Sequence, residues 1–150
     1  MSHANHSNDR NRRRRESADA DAFRKTRRDH AGETAEDYVE LILHLIRESG
    51  EARAVDIAER LGVSHVTVTR TVARLQRDGW VTSAPYRPIH LTEKGKQLAA
   101  RSEERHAMVV AFLRKLGVNE ADAVRDAEGV EHHLSDATLQ AMRAFMENRD

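Results

Sequence analysis

The stretch AVDIAERLGVSHVTVTRTVARLQR (54–77), continued by DGWVTSAPYRPIHL (78–91), decides the fold. Residues 54–61 read as a short helix with Val55, Ile57, Ala58 and Leu61 apolar. Gly62-Val63-Ser64 supplies a turn, and Ser64 is a good N-cap for the next helix. Residues 65–78 form that longer helix, whose core face is Val68, Val72 and Leu75. At ~100° per residue, Thr67, Arg70 and Arg74 fall close together on its other side. After Gly79, Trp80–Ser83 reads as a strand, Pro85, Arg87 and Pro88 make the turn, and Ile89–Leu91 returns. Helix, Gly-containing turn, helix and two-stranded hairpin together form a winged helix-turn-helix.

Working outward, Tyr38, Val39, Leu41, Ile42, Leu45 and Ile46 lay an apolar stripe at helical spacing, which begins near Ala35 and is ended by Gly50. Asp37, Glu40 and His44 lie off that stripe. On the other flank, Thr92 and Glu93 open a long helix to about Leu116, ended by Gly117. Asn119 caps a fifth helix running through His133, and Ser135 caps a sixth with Leu139, Met142, Phe145 and Met146 apolar. The fold class is therefore mainly α. An N-terminal winged helix-turn-helix domain (35–95) precedes an α-helical domain (96–150). Residues 1–34 are rich in Arg, Asp, Asn, Ser and His, and read as a disordered tail. The run Arg12–Arg15 there could grip phosphate; a solvated tail is the simpler reading.

Lys and Arg number 25 against 25 Asp and Glu, but they are unevenly placed. Residues 47–96 carry nine basic against six acidic side chains, and residues 97–150 carry seven against ten. A basic middle and an acidic end fit a DNA-facing half and a cation-binding half. The chain has no cysteine, which removes disulfides, zinc-thiolate sites and Cys nucleophiles. No apolar run approaches the ~20 residues needed to span a bilayer. The N-terminus lacks the apolar core of a secretory signal. A cytoplasmic protein with no membrane partner is expected.

In a winged helix-turn-helix the second helix enters the major groove N-terminal end first. Ser64, His65, Thr67 and Arg70 are then placed to approach base edges, with Arg70 suited to guanine and Thr67 to a thymine methyl. Arg74, Arg77 and the wing residue Arg87 suit phosphates, which position without reading sequence. The partner implied is double-stranded operator DNA.

Six carboxylates and imidazoles stand out as possible metal ligands: Asp37, Glu40, His106, Glu128, Glu131 and His132. Asp37 and Glu40 are three apart on one helix. Glu128, Glu131 and His132 occupy i, i+3 and i+4 of another, so each set projects from one side. Charged residues usually mark a solvated face, but Glu128 and Glu131 repel unless a cation or partner intervenes. All-oxygen-and-nitrogen ligation favours Mn²⁺, Fe²⁺, Co²⁺ or Zn²⁺ over thiophilic ions. His44 is one turn past Glu40 but too far along the axis to join Asp37 as well; His133 points ~100° from His132. Apolar residues of the C-terminal half (Met108, Val109, Phe112, Leu113, Leu116, Leu139, Met142, Phe145) exceed what three short helices bury alone, which predicts a homodimer.

With both segments read, residues 36 to about 147 resemble the diphtheria toxin repressor family, and within it the manganese-responsive branch. The matching stretches are DYVE (37–40), the GVS-containing helix-turn-helix, LTEKG (91–95), ERH (104–106) and DAEGVEHH (126–133). The resemblance implies a metal-activated dimeric repressor controlling manganese uptake genes. It implies two close-spaced Mn²⁺ ions held by Asp37, Glu40, His106, Glu128, Glu131 and His132. The iron-sensing branch has Met and Cys where this chain has Asp37 and Glu128. No small-molecule substrate and no enzymatic activity are expected. The competing readings are an iron-responsive regulator of the same family, a metal-independent winged-helix regulator, and a two-metal hydrolase or oxidase.

Overall fold

The computed structural model describes residues 30–32 and 34–148. The expected disordered tail, with the run Arg12–Arg15, lies outside the described residues except for 30–32 and 34, which are helical. The described residues from 35 onward form one compact unit.

In that unit helix α1 takes in residues 35–49. It is followed by α2 (Ala54–Leu61), α3 (His65–Arg77), β1 (Val81–Thr82), β2 (His90–Leu91), α4 (Glu93–Lys115), α5 (Glu120–Val130) and α6 (Asp136–Glu147). A 3-10 turn at Glu131–His133 separates the last two helices. The N-caps fall where the sequence puts them. Ser64, Thr92, Asn119 and Ser135 each accept a hydrogen bond from the backbone N–H three residues on, filling donors that a helix start leaves unpaired. Gly62 ends α2 at φ 64°, a left-handed turn that admits glycine without strain.

The core gathers Val39, Ile42 and Leu45 of α1, Ile57 of α2, Val68, Val72 and Leu75 of α3, Val81 and Leu91 of the wing, and Ala99 of α4. Each large aliphatic group buried there is worth ~1.5–3 kcal/mol. The core therefore welds α1 and the start of α4 to the helix-turn-helix. A second small core lies further along, with Val109 of α4 against Ala123 and Ala127 of α5. Phe112 and Phe145 meet edge to face at 5.5 Å, attaching α6 to α4. No residue of α6 is fully buried, and Leu116 and Phe145 remain exposed. No helix among the described residues is long and apolar enough to cross a membrane.

Two expectations need correction. The wing strands are shorter than Trp80–Ser83 and Ile89–Leu91: only Val81 and Thr82 pair, with Leu91 and His90. Ile89 instead bridges to Ala52, donating its N–H across 2.8 Å, so the wing is anchored on the loop before α2. The fifth helix does not run through His133. It stops at Val130, and the chain tightens into the 3-10 turn. In 3-10 geometry residues i and i+3 eclipse, so Glu131 stays on the side of Glu128, and both approach His106.

The first turn of α4 is packed without slack. Thr92 caps it, accepting from Gly95 N–H while its own hydroxyl donates to the Gly79 carbonyl. Lys94 reaches back over the Trp80 ring at 3.9 Å. A Cβ on Gly95 would lie 2.0 Å from the Trp80 carbonyl oxygen, which is backbone and has little room to yield. Gly95→Ala should therefore destabilise the fold by ~1–3 kcal/mol, the usual cost of overpacking. Urea denaturation checks this: the midpoint falls with an unchanged slope, and a midpoint equal to the parent's would refute the packing argument.

Candidate metal centre and nucleic-acid interface

Four segments bring the acidic and imidazole side chains together. The first turns of α1 carry Glu36, Asp37 and Glu40. The middle of α4 carries Ser102, Arg105 and His106, of which Ser102 is buried. The end of α5 carries Glu128, and the 3-10 turn carries Glu131 and His132.

Glu131 is the most buried carboxylate among the described residues, with 2 % of its side chain exposed. Its Oε2 lies 2.7 Å from His106 Nδ1, and its Oε1 lies 3.6 Å from His132 Nε2. His132, 5 % exposed, also has Nε2 3.4 Å from Asp37 Oδ1. Glu40 accepts a hydrogen bond from the Ser102 hydroxyl. Glu128 is 67 % exposed and approaches His106 Nδ1 only to 3.9 Å. The six sequence-derived positions thus occupy one neighbourhood, with Glu128 on its open side. His44 does not join them. It pairs with Glu48 one turn on, at 2.8 Å. His133 is exposed.

The electrostatics are those of an anionic pocket. Burial pushes the Glu40 carboxyl above its ordinary value; the Ser102 hydrogen bond opposes this, while the charges of Glu131, Asp37 and Glu128 add to it. Burial likewise raises Glu131 against the pull of His106 and His132, with Glu128 adding to the rise. For His132 burial works downward, but the Glu36 hydrogen bond and the charges of Asp37, Glu36 and Glu131 outweigh it, so its pKa is raised. Among the described residues no three His, Asp or Glu side chains form a finished metal cage; they are engaged with one another. The donor chemistry, buried carboxylates that disfavour their own charge beside imidazole nitrogens, fits a hard or borderline divalent cation.

Sequence reasoning missed Glu36, Ser102 and Arg105. Arg105 forks onto Glu36, with Nη1 3.3 Å from Oε1, and Glu36 Oε2 lies 2.6 Å from His132 Nδ1. Their only signal was adjacency: Glu36 precedes Asp37, and Arg105 precedes His106.

The residues that the sequence suggests for DNA contact lie on α3, at its N-cap and in the wing. Ser64 Oγ accepts from Thr67 N–H at 3.1 Å and meets the Thr67 hydroxyl at 2.9 Å, so both side chains are partly occupied in capping α3. His65, Arg70, Arg77 and Arg87 are exposed, and Arg74 is half-buried. The pairing of arginines divides the molecule. Arg47, Arg53, Arg60, Arg105, Arg114, Arg125 and Arg143 each sit against a carboxylate. Arg70, Arg74, Arg77 and Arg87 have no carboxylate partner among the described residues, and Arg101 on α4 shares that condition.

Raised carboxyl pKa values have a definite sign. Such a group supports the fold below its unfolded value, and the support is lost as pH rises through the folded value. Once pH has risen past that folded value, Glu131 therefore weighs against the metal-free fold. At pH above that folded value, Glu131→Gln should raise the melting temperature in chelator and flatten the loss of stability that sets in as pH climbs past the ordinary carboxyl range. A lowered melting temperature would mean that the ionised carboxylate is structural.

Comparison with known proteins places both halves. Residues 30–89 match the family described as iron dependent repressor, N-terminal DNA binding domain. Residues 92–150 match iron dependent repressor, metal binding and dimerisation domain. The chain is 51 % identical over 125 residues to the transcriptional regulator MntR of Escherichia coli O157:H7, covering 83 % of this chain and 81 % of the relative. It is 47 % identical over 100 residues to the HTH-type transcriptional regulator MntR of Geobacillus thermodenitrificans, covering 67 % and 71 %. Among solved structures it resembles a manganese-dependent transcriptional repressor in complex with manganese, with TM-score 0.66 and 28 % identity over 75 % of this chain and 52 % of that one. The manganese regulator SloR is similar at TM-score 0.64 and 27 % identity, over 75 % and 53 %. The chain spans about half the length of these two solved proteins.

Proposed function

Because this chain belongs to the iron dependent repressor family, we propose that it is a manganese-dependent transcriptional repressor that binds operator DNA as a homodimer and controls manganese homeostasis. The observation that carries this reading is the position of the acidic and imidazole cluster. It lies across α1, which shares a core with the recognition helix, and across α4 and the 3-10 turn, which belong to the C-terminal half.

Asp37, Glu40, His106, Glu128, Glu131 and His132 are assigned to hold the metal. Four carboxylates able to bridge and two imidazoles are enough donors for two Mn²⁺ ions. The absence of cysteine and the oxygen-rich set support manganese over iron within this family. When bound, Mn²⁺ supplies the positive charge that offsets repulsion among these carboxylates. The chain does the rest. Glu40 and Asp37 report the position of α1, His106 that of α4, and Glu131 and His132 that of the turn. Strain at any of them is transmitted to the helix-turn-helix through Val39, Ile42 and Val68, which are fully buried. An arrangement that satisfies the cluster also fixes the DNA-reading half, which is population shift between states.

The C-terminal half, 96–150, would pair two copies through its exposed apolar side chains, Leu116 and Phe145 among them. Two-fold symmetry then presents two α3 helices to successive major grooves ~34 Å apart. In each, Ser64, His65, Thr67 and Arg70 read bases, while Arg74, Arg77 and Arg87 hold phosphate. Regulation of this kind needs no catalytic group and takes place in the cytoplasm.

The decisive test is anaerobic selection of duplexes from a random-sequence pool, followed by titration of the recovered DNA with Mn²⁺, Fe²⁺ and Zn²⁺. Mn²⁺ should tighten binding at least tenfold over chelator. Equal affinity in chelator would favour a metal-independent regulator, and stronger activation by Fe²⁺ an iron-responsive one.

The arginine division gives a second test. Arg70→Ala should cost ~1–3 kcal/mol on the selected site and relax specificity at one base pair. Arg74→Ala or Arg87→Ala should weaken selected and random DNA alike and reduce the salt slope. An unchanged specificity ratio for Arg70→Ala would mean that α3 docks otherwise.

A further inference from the structure

The assigned metal ligands leave two neighbours without a role, Glu36 and Arg105. Resting on the metal-centre reading above, we infer that the Arg105–Glu36 pair is a positioning device for His132, fixing its ring so that Nε2 faces the ligand set.

Glu36 Oε2 lies 2.6 Å from His132 Nδ1. A carboxylate oxygen and an unprotonated ring nitrogen are both acceptors and would repel at that separation. Nδ1 therefore carries the proton and donates it to Glu36. In the neutral ring the lone pair then sits on Nε2. That nitrogen points between Asp37 Oδ1 at 3.4 Å and Glu131 Oε1 at 3.6 Å, into the middle of the assigned ligands. Arg105 Nη2 is 3.4 Å from Nδ1, too far to compete with the shorter carboxylate contact.

Arg105 is what holds Glu36. Both its Nη atoms bond Glu36, and Nη2 also lies 3.5 Å from the Ser102 hydroxyl that serves Glu40. A planar guanidinium fixes a carboxylate in orientation as well as position. Its Nε is buried without a hydrogen-bond partner among the described residues. That arrangement costs free energy, and a solvation role would have turned the same atom to water. The three residues belong to α1, α4 and the 3-10 turn, so the pair draws those elements together without using a ligand atom. Carboxylates that orient metal-binding imidazoles act in this way elsewhere, and losing one typically weakens metal affinity ~10- to 100-fold.

The test uses the full chain, labelled with ¹⁵N-histidine, as parent, Glu36→Ala, Glu36→Gln and Arg105→Met. In chelator, at a pH alkaline enough to keep imidazoles neutral, ring nitrogen shifts report the His132 tautomer. Calorimetry with Mn²⁺ alone reports affinity. The parent should show the Nδ1–H form. Glu36→Ala should mix in the Nε2–H form and lose ~10- to 100-fold in affinity. Glu36→Gln keeps an acceptor, so it should hold the tautomer and lose less; it also stands in if the alanine variant fails to fold. Arg105→Met should fall between the two. An Nε2–H parent, equal losses for Ala and Gln, or Ala affinity within threefold of the parent would overturn the positioning role. A parent that takes up no Mn²⁺ would overturn the metal-centre reading itself, and is told apart because the tautomer readout needs no metal.

Discussion

Everything distinctive in this molecule depends on the repulsion among carboxylates that α1, α5 and the 3-10 turn bring within reach of one another. Glu131 is nearly sealed from solvent, and Glu40 faces the charges of Glu131, Asp37 and Glu128. In a low-dielectric pocket such groups are costly unless paired. The chain supplies partial relief through His106, His132, Ser102 and Arg105. Only Arg105 among these is a permanent cation, and its charge is already committed to Glu36. The remaining anionic excess is what a divalent cation, bound as proposed, would offset.

That sensitivity matters because of what α1 is joined to. Its apolar stripe is the floor of the same core that seats Val68, Val72 and Leu75 of the recognition helix. The start of α4 is locked to the wing by the Thr92 cap and by the close approach of Gly95 to Trp80. A dense core transmits displacement instead of absorbing it. A force on Asp37 or Glu40 therefore acts on the whole DNA-facing half, while α5 and α6, held by a thinner apolar contact, can answer from the other side.

Much of this was legible in the sequence. Helix limits were readable because four Ser, Thr or Asn side chains stand at helix starts and perform the capping their chemistry allows. The core faces of α1 and α3 followed from spacing. The ligand neighbourhood was legible as residue types at set intervals, but its geometry was not. Nothing in GVEHH announces that the helix ends at Val130 and tightens, because Glu131 and His132 fit a helical register equally well. Glu36 and Arg105 were invisible for a different reason. They are 69 residues apart, and a charged residue beside a candidate ligand reads as surface until the fold lays one helix against the other. The wing strands were overread because Trp80 and Ile89, residue types favoured in strands, flank the paired positions, and the second anchor, Ile89 to Ala52, is a single bridge with no sequence pattern.

The arrangement of ion pairs carries the same logic to the outer surface. Surface pairs contribute little to stability, a median of ~0–1 kcal/mol, so their placement is not dictated by folding. Yet carboxylates accompany the arginines of α1, α2, α5 and α6 and two of the three on α4, while those of α3 and the wing, with Arg101 of α4, are left without them among the described residues. An unpaired guanidinium keeps its full field and loses no partner when it meets phosphate, whereas a paired one must first break its bond. One end of the unit thus gathers anions it cannot neutralise alone, and the other gathers cations it does not neutralise. Because one core joins α1 to α3, a cation bound at the first end, as proposed, would help set how well the second fits a polyanion.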